Sequence, residues 1–210
     1  MTEEDFFIFD TMTWSFSRLE SFYQCPLAWR RTYIDCEPKC SNAFAEYGSC
    51  CHKLLEQYEK GEVDLFDLPD EYENRFQEEV VTDFPQNKYA DLRESYYKKG
   101  QRYFEEINLP LCDIEILGVE EKISFTLCNK PFIGFIDLRY RDKDGHMIFM
   151  DHKSANITFT KKGFVTKGCT EKMTKYKYQQ YLYTIRFIEA GEKIDYLEWN
   201  FFNNQKIYRV

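Results

Sequence analysis

The sequence GFIDLRYRDKDGHMIFMDHKS, residues 134–154, shows the architecture more clearly than any other part of the chain. Its first part is apolar and rich in residues that favour β-strands. Its centre, Asp142-Lys143-Asp144-Gly145, is typical of a tight hairpin turn, because Asp-Gly readily adopts the required dihedral angles. The apolar run at 147–150 indicates a buried strand that ends at Asp151. We therefore predict two antiparallel strands joined by a hairpin.

Two carboxylates and one lysine are expected to converge where this hairpin opens. Residues two apart in a strand face the same side, so Asp151 and Lys153 point together. Asp137 lies on the preceding strand, and paired strands are about 5 Å apart. Carboxylates can anchor Mg²⁺ or Mn²⁺ for phosphodiester hydrolysis, and a lysine can orient the attacking water. The alternative is an ordinary salt bridge within the hairpin.

Two helical pairs extend this candidate site. Gly48 and His52 are one helical turn apart on a predicted helix, and neutral His52 could complete a metal shell. Gln179 and Tyr183 share a face of a later helix, where an amide and a hydroxyl could position a phosphate or a water. The alternatives are a histidine that is satisfied by a neighbour, a surface glutamine and a core tyrosine.

Taken together, these motifs resemble those of a known family. The order Ser-x-Ser-x-Leu…Cys-Pro, Gly-x3-His, GxxD, DxK and Gln-x3-Tyr is similar to that of the PD-(D/E)XK nuclease superfamily. The closest resemblance is to its RecB-type branch, which includes the CRISPR-associated exonuclease and the nuclease domains of bacterial helicase–nuclease complexes. It extends from about Ser15 to Phe202.

The resemblance implies a role for each matching residue. His52 and Asp137 would be metal ligands, and Asp151 would be the metal-binding acid of the (D/E)XK element. The main-chain carbonyl of His152 would be a further ligand, and Lys153 would be the catalytic lysine. The expected cofactor is Mg²⁺ or Mn²⁺.

The resemblance also bears on the second helix and on the cysteines. Gln179 and Tyr183 would support the active site and contact DNA. Many members of the branch bind a four-iron cluster through one N-terminal and three C-terminal cysteines. Cys25 matches only the first of these, and no cysteine follows Cys169. We therefore expect either no iron–sulfur cluster or a truncated chain.

The eight cysteines are otherwise expected to be reduced and mostly buried. They include no CxxC pair. A zinc site is a weaker alternative, because the spacing of the four cysteines concerned does not match a standard zinc knuckle. These are Cys36, Cys40, Cys50 and Cys51.

Composition excludes several classes of protein. The 210 residues are 43% hydrophobic and 30% charged, and no apolar run is long enough to span a bilayer, which argues against a disordered chain or a membrane protein. The acidic start does not resemble a signal peptide, so we expect a cytoplasmic location. A net charge of −8 argues against a protein that coats nucleic acid electrostatically.

Charge is nevertheless distributed unevenly along the chain. Residues 56–84 carry eleven acidic and two basic side chains and are expected to form a solvated insertion that faces away from nucleic acid. Residues 161–177 carry six lysines and one glutamate, and we expect a flexible basic loop that contacts DNA. These lysines are Lys161, Lys162, Lys167, Lys172, Lys175 and Lys177. The alternative is a solvated charged loop.

In the N-terminal part we predict a loose or strand-like start at 1–12, a helix that begins near a Ser17–Glu20 capping box, and a break at Cys25 before Pro26. Helices are expected at 43–60, 88–106 and 174–190, with a last strand from Ile194 to Phe202. The aromatic side chains of Trp14, Phe16 and Tyr23 could stack on the bases of single-stranded nucleic acid, although core packing is the preferred interpretation.

These elements predict an α/β fold with a restriction-endonuclease-like core. A central mixed sheet is flanked by helices and preceded by an N-terminal helical part. We expect a single domain over 1–210, mainly helical to about 110, with the sheet and one long helix from about 111.

The function expected from these features is metal-dependent DNA hydrolysis, exonucleolytic, in recombination, repair or phage DNA processing. The substrate would be single-stranded DNA or duplex ends, and a protein partner or a homo-oligomer could supply processivity. The alternative is a catalytically silent subunit that keeps the nuclease fold and binds DNA or protein.

Overall fold

The computed structural model describes residues 3–38, 41–107, 109 and 111–210. Five strands of this part of the chain form one sheet. They are β1 (Glu115–Leu127), β2 (Lys130–Arg141), β3 (Met147–Lys153), β4 (Tyr196–Phe201) and β5 (Lys206–Arg209). The strands lie in the sheet in chain order. β3 and β4 are parallel and the other neighbours are antiparallel, so the sheet is mixed, as predicted.

Helices precede the sheet and cross over between β3 and β4. The helices are α1 (Glu3–Thr11), α2 (Phe16–Gln24), α3 (Pro26–Tyr33), α4 (Ala43–Glu59), α5 (Leu68–Glu79), α6 (Leu92–Glu105) and α7 (Thr170–Glu189). Helix α7 is the crossover that a parallel pair of strands requires. None of the described helices is long and apolar enough to cross a membrane.

Two hydrophobic clusters form the core. One, which we call the α4–α6 cluster, joins those helices to the sheet and includes Tyr47, Leu54, Tyr72, Phe104 and Met150. The other, the α7 cluster, includes Trp14, Trp29, Phe149, Phe187 and Trp199. In β3, Phe149 packs in the α7 cluster and Met150 in the α4–α6 cluster, as the alternation of side chains along a strand requires.

The β1–β2 hairpin has a two-residue turn that sets its register. Cys128 and Asn129 both have positive φ, which is the conformation that a type I′ hairpin turn needs. Leu127 therefore pairs with Lys130, and regular pairing continues from there along both strands.

The pairing of β1 and β2 skips Glu120 and Asp137, which lie between the pairs Val119–Leu138 and Glu121–Ile136. Glu120 has a φ of +48°, an uncommon conformation for a residue other than glycine. Val119 and Leu138 pack in the α4–α6 cluster, whereas Ile136, two residues before Leu138, packs in the α7 cluster. Regular alternation would place Ile136 and Leu138 on one face, so both strands are distorted at the same point.

The N-terminal part differs from the sequence-based expectation in two ways. The segment predicted to be loose or strand-like contains helix α1, whose Phe9 packs edge-on against Trp14 at 5.2 Å between ring centroids. The next helix begins two residues earlier than the predicted capping box. Its N-cap is Ser15, which accepts a hydrogen bond from the Arg18 main-chain N–H, and not Ser17.

Other expectations for this part are confirmed. Cys25 is extended at φ −155°, and helix α3 begins at Pro26. Trp14 is buried and stacks on Trp29 at 5.8 Å, as the core interpretation requires. For Tyr23 the core interpretation is wrong, because its side chain is 89% exposed.

The acidic segment 56–84 is not a solvated insertion. Its helix α5 buries Leu68, Tyr72 and Phe76 in the α4–α6 cluster. The acidic residues of α5 lie on its other faces, so a charge count by itself did not reveal a core helix. The last strand is also followed by β5, which the sequence interpretation lacked.

Candidate active site

Asp137 lies at the point where β2 and β3 separate. The register of these two strands ends at the pair Leu138–Met150, and Asp137 directly precedes Leu138 on β2. The main-chain N–H of His152 donates instead to Asp137 Oδ2 at 2.6 Å. The Asp137 carboxylate therefore takes the place of the main-chain oxygen that would accept this hydrogen bond in a regular sheet. Because β2 and β3 separate here, further side chains can lie between them.

His52 reaches this point from helix α4. Its Nε2 is 2.7 Å from the main-chain oxygen of His152. A carbonyl only accepts, so Nε2 carries the proton and the Nδ1 lone pair is free. Nδ1 lies 3.8 Å from Asp137 Oδ2. Burial, followed by the charges of His152 and Lys153, lowers the pKa of His52 to about 4, so this imidazole is neutral at pH 7.

Glu120 is a third residue at the same point, and the sequence interpretation missed it. One ligand atom each of His52, Glu120 and Asp137 lies within 4.8 Å of the other two. Burial, and next the negative charge of Asp137, raises the pKa of Glu120 to about 7. One imidazole nitrogen and two carboxylates are donors that suit a divalent cation.

Asp151 and Lys153 form an ion pair beside this cluster. Lys153 Nζ is 2.7 Å from Asp151 Oδ1. Asp151 Oδ2 is buried and has no hydrogen-bond partner among the described residues. Burial raises the pKa of Asp151 to about 6, against the opposing effect of Lys153. A buried carboxylate oxygen without a partner costs free energy, which a bound cation would offset, so the residues fit a metal ion.

The side chain of His152 points to the opposite face of β3. Its Nε2 is 2.7 Å from Glu59 Oε1, and its Nδ1 is 3.0 Å from the Asn200 amide nitrogen. That amide also donates to the Tyr103 hydroxyl at 2.6 Å. Burial opposes the charged form of His152, but the Glu59 carboxylate outweighs it and the pKa of His152 is raised. His152 therefore contributes main-chain atoms to the site and its side chain to the core.

A family model of the PD-(D/E)XK nuclease superfamily matches residues 13–184. The chain belongs to the PD-(D/E)XK nuclease superfamily. The mixed sheet with its flanking helices is the fold expected for such a nuclease. Members of this superfamily are in general metal-dependent nucleases. The match does not specify a branch, so the RecB-type assignment stays a prediction. A search of curated proteins found no match.

In this nuclease-fold chain, helix α7 packs directly over the site. Tyr183 is buried and lies against Gly134, where an added Cβ would be only 2.5 Å from the ring. Gln179 interacts with the Tyr183 hydroxyl and is partly exposed. Tyr176, one turn earlier, places its ring 5.3 Å from Lys153 Nζ. The structure thus brings Gln179 and Tyr183 together and adds Tyr176.

Gln180 is a further site residue that sequence reasoning missed. It is buried, and its Nε2 donates to the main-chain oxygen of Glu198 at 2.7 Å. Its Oε1 has no hydrogen-bond partner among the described residues. Together with Asp137, Asp151 and Tyr183, it lines a small cavity. Only the position of α7 over the sheet distinguishes Gln180 from its neighbour Gln179.

The basic segment contains a hairpin and the start of α7. Phe159 and Val165 form an isolated antiparallel bridge, so the part that precedes α7 is not simply a flexible loop. Four of its lysines are exposed: Lys161, Lys162, Lys167 and Lys172. The other two are engaged by neighbours. Lys175 pairs with Glu20, and Lys177 lies 5.6 Å from the centre of the Tyr208 ring.

The cysteines are more exposed than expected. Of the seven that the structure describes, Cys50 and Cys51 are buried, whereas four are exposed. Burial raises the pKa of Cys50 to about 12, which disfavours the thiolate that a zinc site needs. Cys40, another member of the proposed zinc set, lies outside the described residues. Cys25 is exposed at the N-terminus of α3.

Proposed function

We propose that this protein is a Mg²⁺- or Mn²⁺-dependent DNA exonuclease that acts in the cytoplasm, in recombination, repair or phage DNA processing. One observation carries the proposal. His52, Glu120 and Asp137 converge beside the buried Asp151–Lys153 pair, at the point where two strands separate. Membership of the nuclease superfamily supports the coarser assignment, a metal-dependent nuclease.

The ligands in this proposal come from four elements, namely α4, β1, β2 and β3. Asp137 and Asp151 provide carboxylates, His52 provides Nδ1, and Glu120 adds a carboxylate that the sequence motifs do not contain. The main-chain carbonyl of His152 already accepts a hydrogen bond from His52, and its second lone pair remains for a ligand role. A bound divalent cation would polarise the scissile phosphate and stabilise the charge that develops on its oxygens.

Lys153 is the proposed catalytic lysine. Its ammonium is held by Asp151 and by the face of the Tyr176 ring. Burial opposes the charged form of Lys153, but the two aspartates outweigh it, so its pKa is raised and the side chain stays charged at pH 7. Lys153 can therefore orient the attacking water and stabilise negative charge, but it cannot act as a general base at neutral pH. Gln179 and Tyr183 support this arrangement from α7.

The proposed substrate track is local, because the whole chain carries a net charge of −8. The exposed lysines of the 161–177 segment, which directly precedes and opens helix α7, would contact the phosphate backbone. Binding of this kind weakens steeply as salt is added, because each phosphate contact releases counterions. A homo-oligomer or a protein partner would add processivity.

Hydrolysis of end-labelled DNA tests the proposal. Single-stranded, duplex and covalently closed circular DNA would be incubated with Mg²⁺ or Mn²⁺ and the wild-type protein. Asp151→Ala and Lys153→Ala would be compared with two matched surface variants in the β2–β3 turn, Asp144→Ala and Lys143→Ala, whose side chains are exposed. We expect cleavage that needs metal, is lost only in the first two variants and spares closed circles.

Other outcomes would change the assignment. Cleavage of closed circles would make the enzyme an endonuclease. The absence of cleavage by folded protein at saturating metal would favour the catalytically silent subunit. The labelled end that shortens first would establish the polarity.

A further inference from the structure

The segment that follows the Asp151–Lys153 strand forms a hairpin, residues 158–166, which we call the basic hairpin. Thr166 N–H donates to the Thr158 oxygen at 2.9 Å, and Thr160 N–H donates to the Phe164 oxygen at 2.7 Å. At the tip, Gly163 has a φ of +83°, and its N–H donates to the Thr160 oxygen at 2.9 Å. These hydrogen bonds give the tip a defined shape.

Two phenylalanines of the basic hairpin have opposite environments. Phe159 packs on Phe201 and Tyr208, at 6.2 and 5.7 Å between ring centroids, and anchors the base of the hairpin to the sheet. Phe164, at the tip, is 67% exposed. Its main-chain N–H donates to Thr160 Oγ1 at 3.1 Å, so the backbone holds the ring outward. Exposing a large apolar side chain on an ordered tip has a free-energy cost that a ligand could recover.

Short steps connect the basic hairpin to the candidate active site. Tyr176 lies over Lys153 and contacts Phe201, with 6.1 Å between the ring centroids of Tyr176 and Phe201. Phe201 in turn contacts Phe159 at the base of the hairpin. A nucleic-acid strand whose phosphate lies at Lys153 would therefore extend past the hairpin within a few nucleotides.

The charges around Phe164 are positive. Lys161 and Lys162 are exposed in the same turn, and Lys206 lies 4.0 Å from the centre of the Phe159 ring at the hairpin base. An exposed ring beside lysines combines the two features that proteins use to bind single strands, namely stacking on bases and attraction of phosphates.

Phe66 provides the contrast within the same molecule. It is 91% exposed, but it lies in the acidic segment next to Asp67, where the surrounding charge would repel a phosphate backbone. Exposure alone therefore does not distinguish Phe164. The distinguishing features are the hairpin geometry, the lysines and the contacts that lead to Lys153.

We propose that Phe164 stacks on an unpaired base of single-stranded DNA and that the basic hairpin thereby favours single-stranded or frayed ends over closed duplex. This inference rests on the proposed function, because it takes DNA as the substrate. It adds a base-stacking residue to a site whose other contacts are with metal and phosphate.

Binding in the absence of cleavage tests the inference. An oligodeoxythymidylate of about 20 nucleotides, longer than a typical single-strand site, would be titrated into protein with Ca²⁺ in place of Mg²⁺. The three natural tryptophans are buried, so Phe164→Trp adds an exposed reporter, and Phe66→Trp is its matched control. We expect the fluorescence of Phe164→Trp to be quenched to saturation, with no such change for Phe66→Trp.

Affinity provides the second readout. Phe164→Ala and Phe164→Leu should weaken binding of the oligonucleotide by about 5- to 100-fold, whereas Phe164→Tyr and Phe66→Ala should bind like the wild type. The salt dependence should be unchanged by Phe164→Ala and reduced by charge reversal at Lys161 and Lys162. Blunt duplex should lose less affinity than the single strand.

The outcomes separate this inference from the proposed function. Wild-type affinity of Phe164→Ala, or equal losses on single strand and duplex, would overturn the stacking role even if the protein cleaves DNA. Conversely, a protein that cleaves nothing, yet binds the single strand in a way that depends on an aromatic ring at 164, would retain the inference and overturn the nuclease proposal.

Discussion

The two faces of strand β3 carry two acid–base pairs of equal length, of which the His152–Glu59 pair is buried and the Asp151–Lys153 pair has a half-buried lysine. On the face toward α7, Lys153 Nζ lies 2.7 Å from Asp151. On the face toward α4, His152 Nε2 lies 2.7 Å from Glu59. The second pair is completed by Asn200, whereas Asp151 Oδ2 has no hydrogen-bond partner among the described residues. The two pairs are thus chemically similar and involve adjacent residues of β3, but only the pair on the α7 face has a buried oxygen without a hydrogen-bond partner.

This difference leads us to expect that the Asp151–Lys153 pair binds a ligand and that the His152–Glu59 pair stabilises the fold. A buried pair with all polar atoms satisfied holds elements together, here helix α4 against the sheet. A buried oxygen without a hydrogen-bond partner lowers the stability of the folded protein. We expect a fold to keep such an oxygen where it binds a ligand. Removal of each pair should therefore affect different properties of the protein.

The largest expected effect is a loss of activity when the Asp151–Lys153 pair on the α7 face is removed. The double variant Asp151→Asn, Lys153→Met keeps the side-chain volumes but removes both charges. We expect cleavage to fall by at least about 10³-fold, because the charges act on the transition state. The free energy of unfolding should stay within about 1 kcal/mol of the wild type or increase, because a desolvated ion pair is replaced by neutral groups.

Single-turnover cleavage and urea unfolding of the same preparations measure both quantities. A double variant that loses several kcal/mol of stability would show that this pair is structural after all.

Removing the Glu59–His152 pair on the α4 face should lower stability much more than activity. Glu59→Leu leaves His152 buried without its carboxylate, which should cost about 3–5 kcal/mol of stability. Activity per folded molecule should fall by less than about tenfold, because the His152 main-chain atoms that reach the site remain. Glu56→Leu is the control, since Glu56 pairs with Lys60 at the surface and should change stability by about 0.5 kcal/mol or less. Equal stability of the Glu59 and Glu56 variants would contradict the comparison.

A smaller effect is expected for Glu120, which lies outside both pairs. Glu120→Gln should weaken Mn²⁺ binding by about 10- to 100-fold, because one of the converging donors loses its charge. Isothermal titration with Mn²⁺ measures this directly, and Glu115→Gln, whose carboxylate pairs with Arg141, is the control on the same strand. Unchanged Mn²⁺ affinity of Glu120→Gln would remove Glu120 from the site.

The smallest effect is a pH dependence of stability in metal-free protein. Burial raises the pKa of Asp151 to about 6 and that of Glu120 to about 7. Because the folded state holds these protons more tightly than the unfolded state, their contribution to stability is greatest below about pH 4 and falls as pH rises to 7. The melting temperature of wild type minus that of Glu120→Gln, measured in EDTA from pH 5 to 8, should therefore decrease with pH. A flat difference would mean that Glu120 titrates normally.

Much of this arrangement follows from local sequence patterns. The hairpin turn at 142–145, the break before Pro26 and the helix at 43–60 were predicted from patterns that extend over a few residues. Gly134, in the GxxD motif, lies against Tyr183 of the Gln-x3-Tyr motif, so two motifs recognised separately meet in space. The ion pair of Asp151 and Lys153 follows from the two-residue period of a strand.

Glu120 was within reach of the sequence and was nevertheless missed. If Cys128-Asn129 had been recognised as a two-residue turn, counting back along both strands would have placed Glu120 opposite Asp137. Glu120 and Asp137 would still have been assigned to regular strand positions, because no local pattern predicts the positive φ of Glu120.

Long-range packing decided the remaining features. Helix α1 forms although its sequence lacks a helical pattern, and its Phe9 packs among Trp14 and Trp29 from later elements. The acidic helix α5 belongs to the core because α4 and α6 cover its one apolar face. Gln180, and not Gln179, is buried beside Asp151 because it lies, with Tyr183, on the face of α7 that packs on the sheet.

The sequence by itself therefore determined most of the strands and helices and the placement of Asp137, Asp151 and Lys153 where the hairpin opens. These depend on hydrophobic period, turn residues and proline, which act over a few residues. Only the tertiary structure decided which oxygen remains without a partner, that Gln180 lines the cavity beside Asp151, and where Glu120 joins the site. Those features depend on the distortion that β1 and β2 share and on helices from distant parts of the chain, which act together only after the chain has folded.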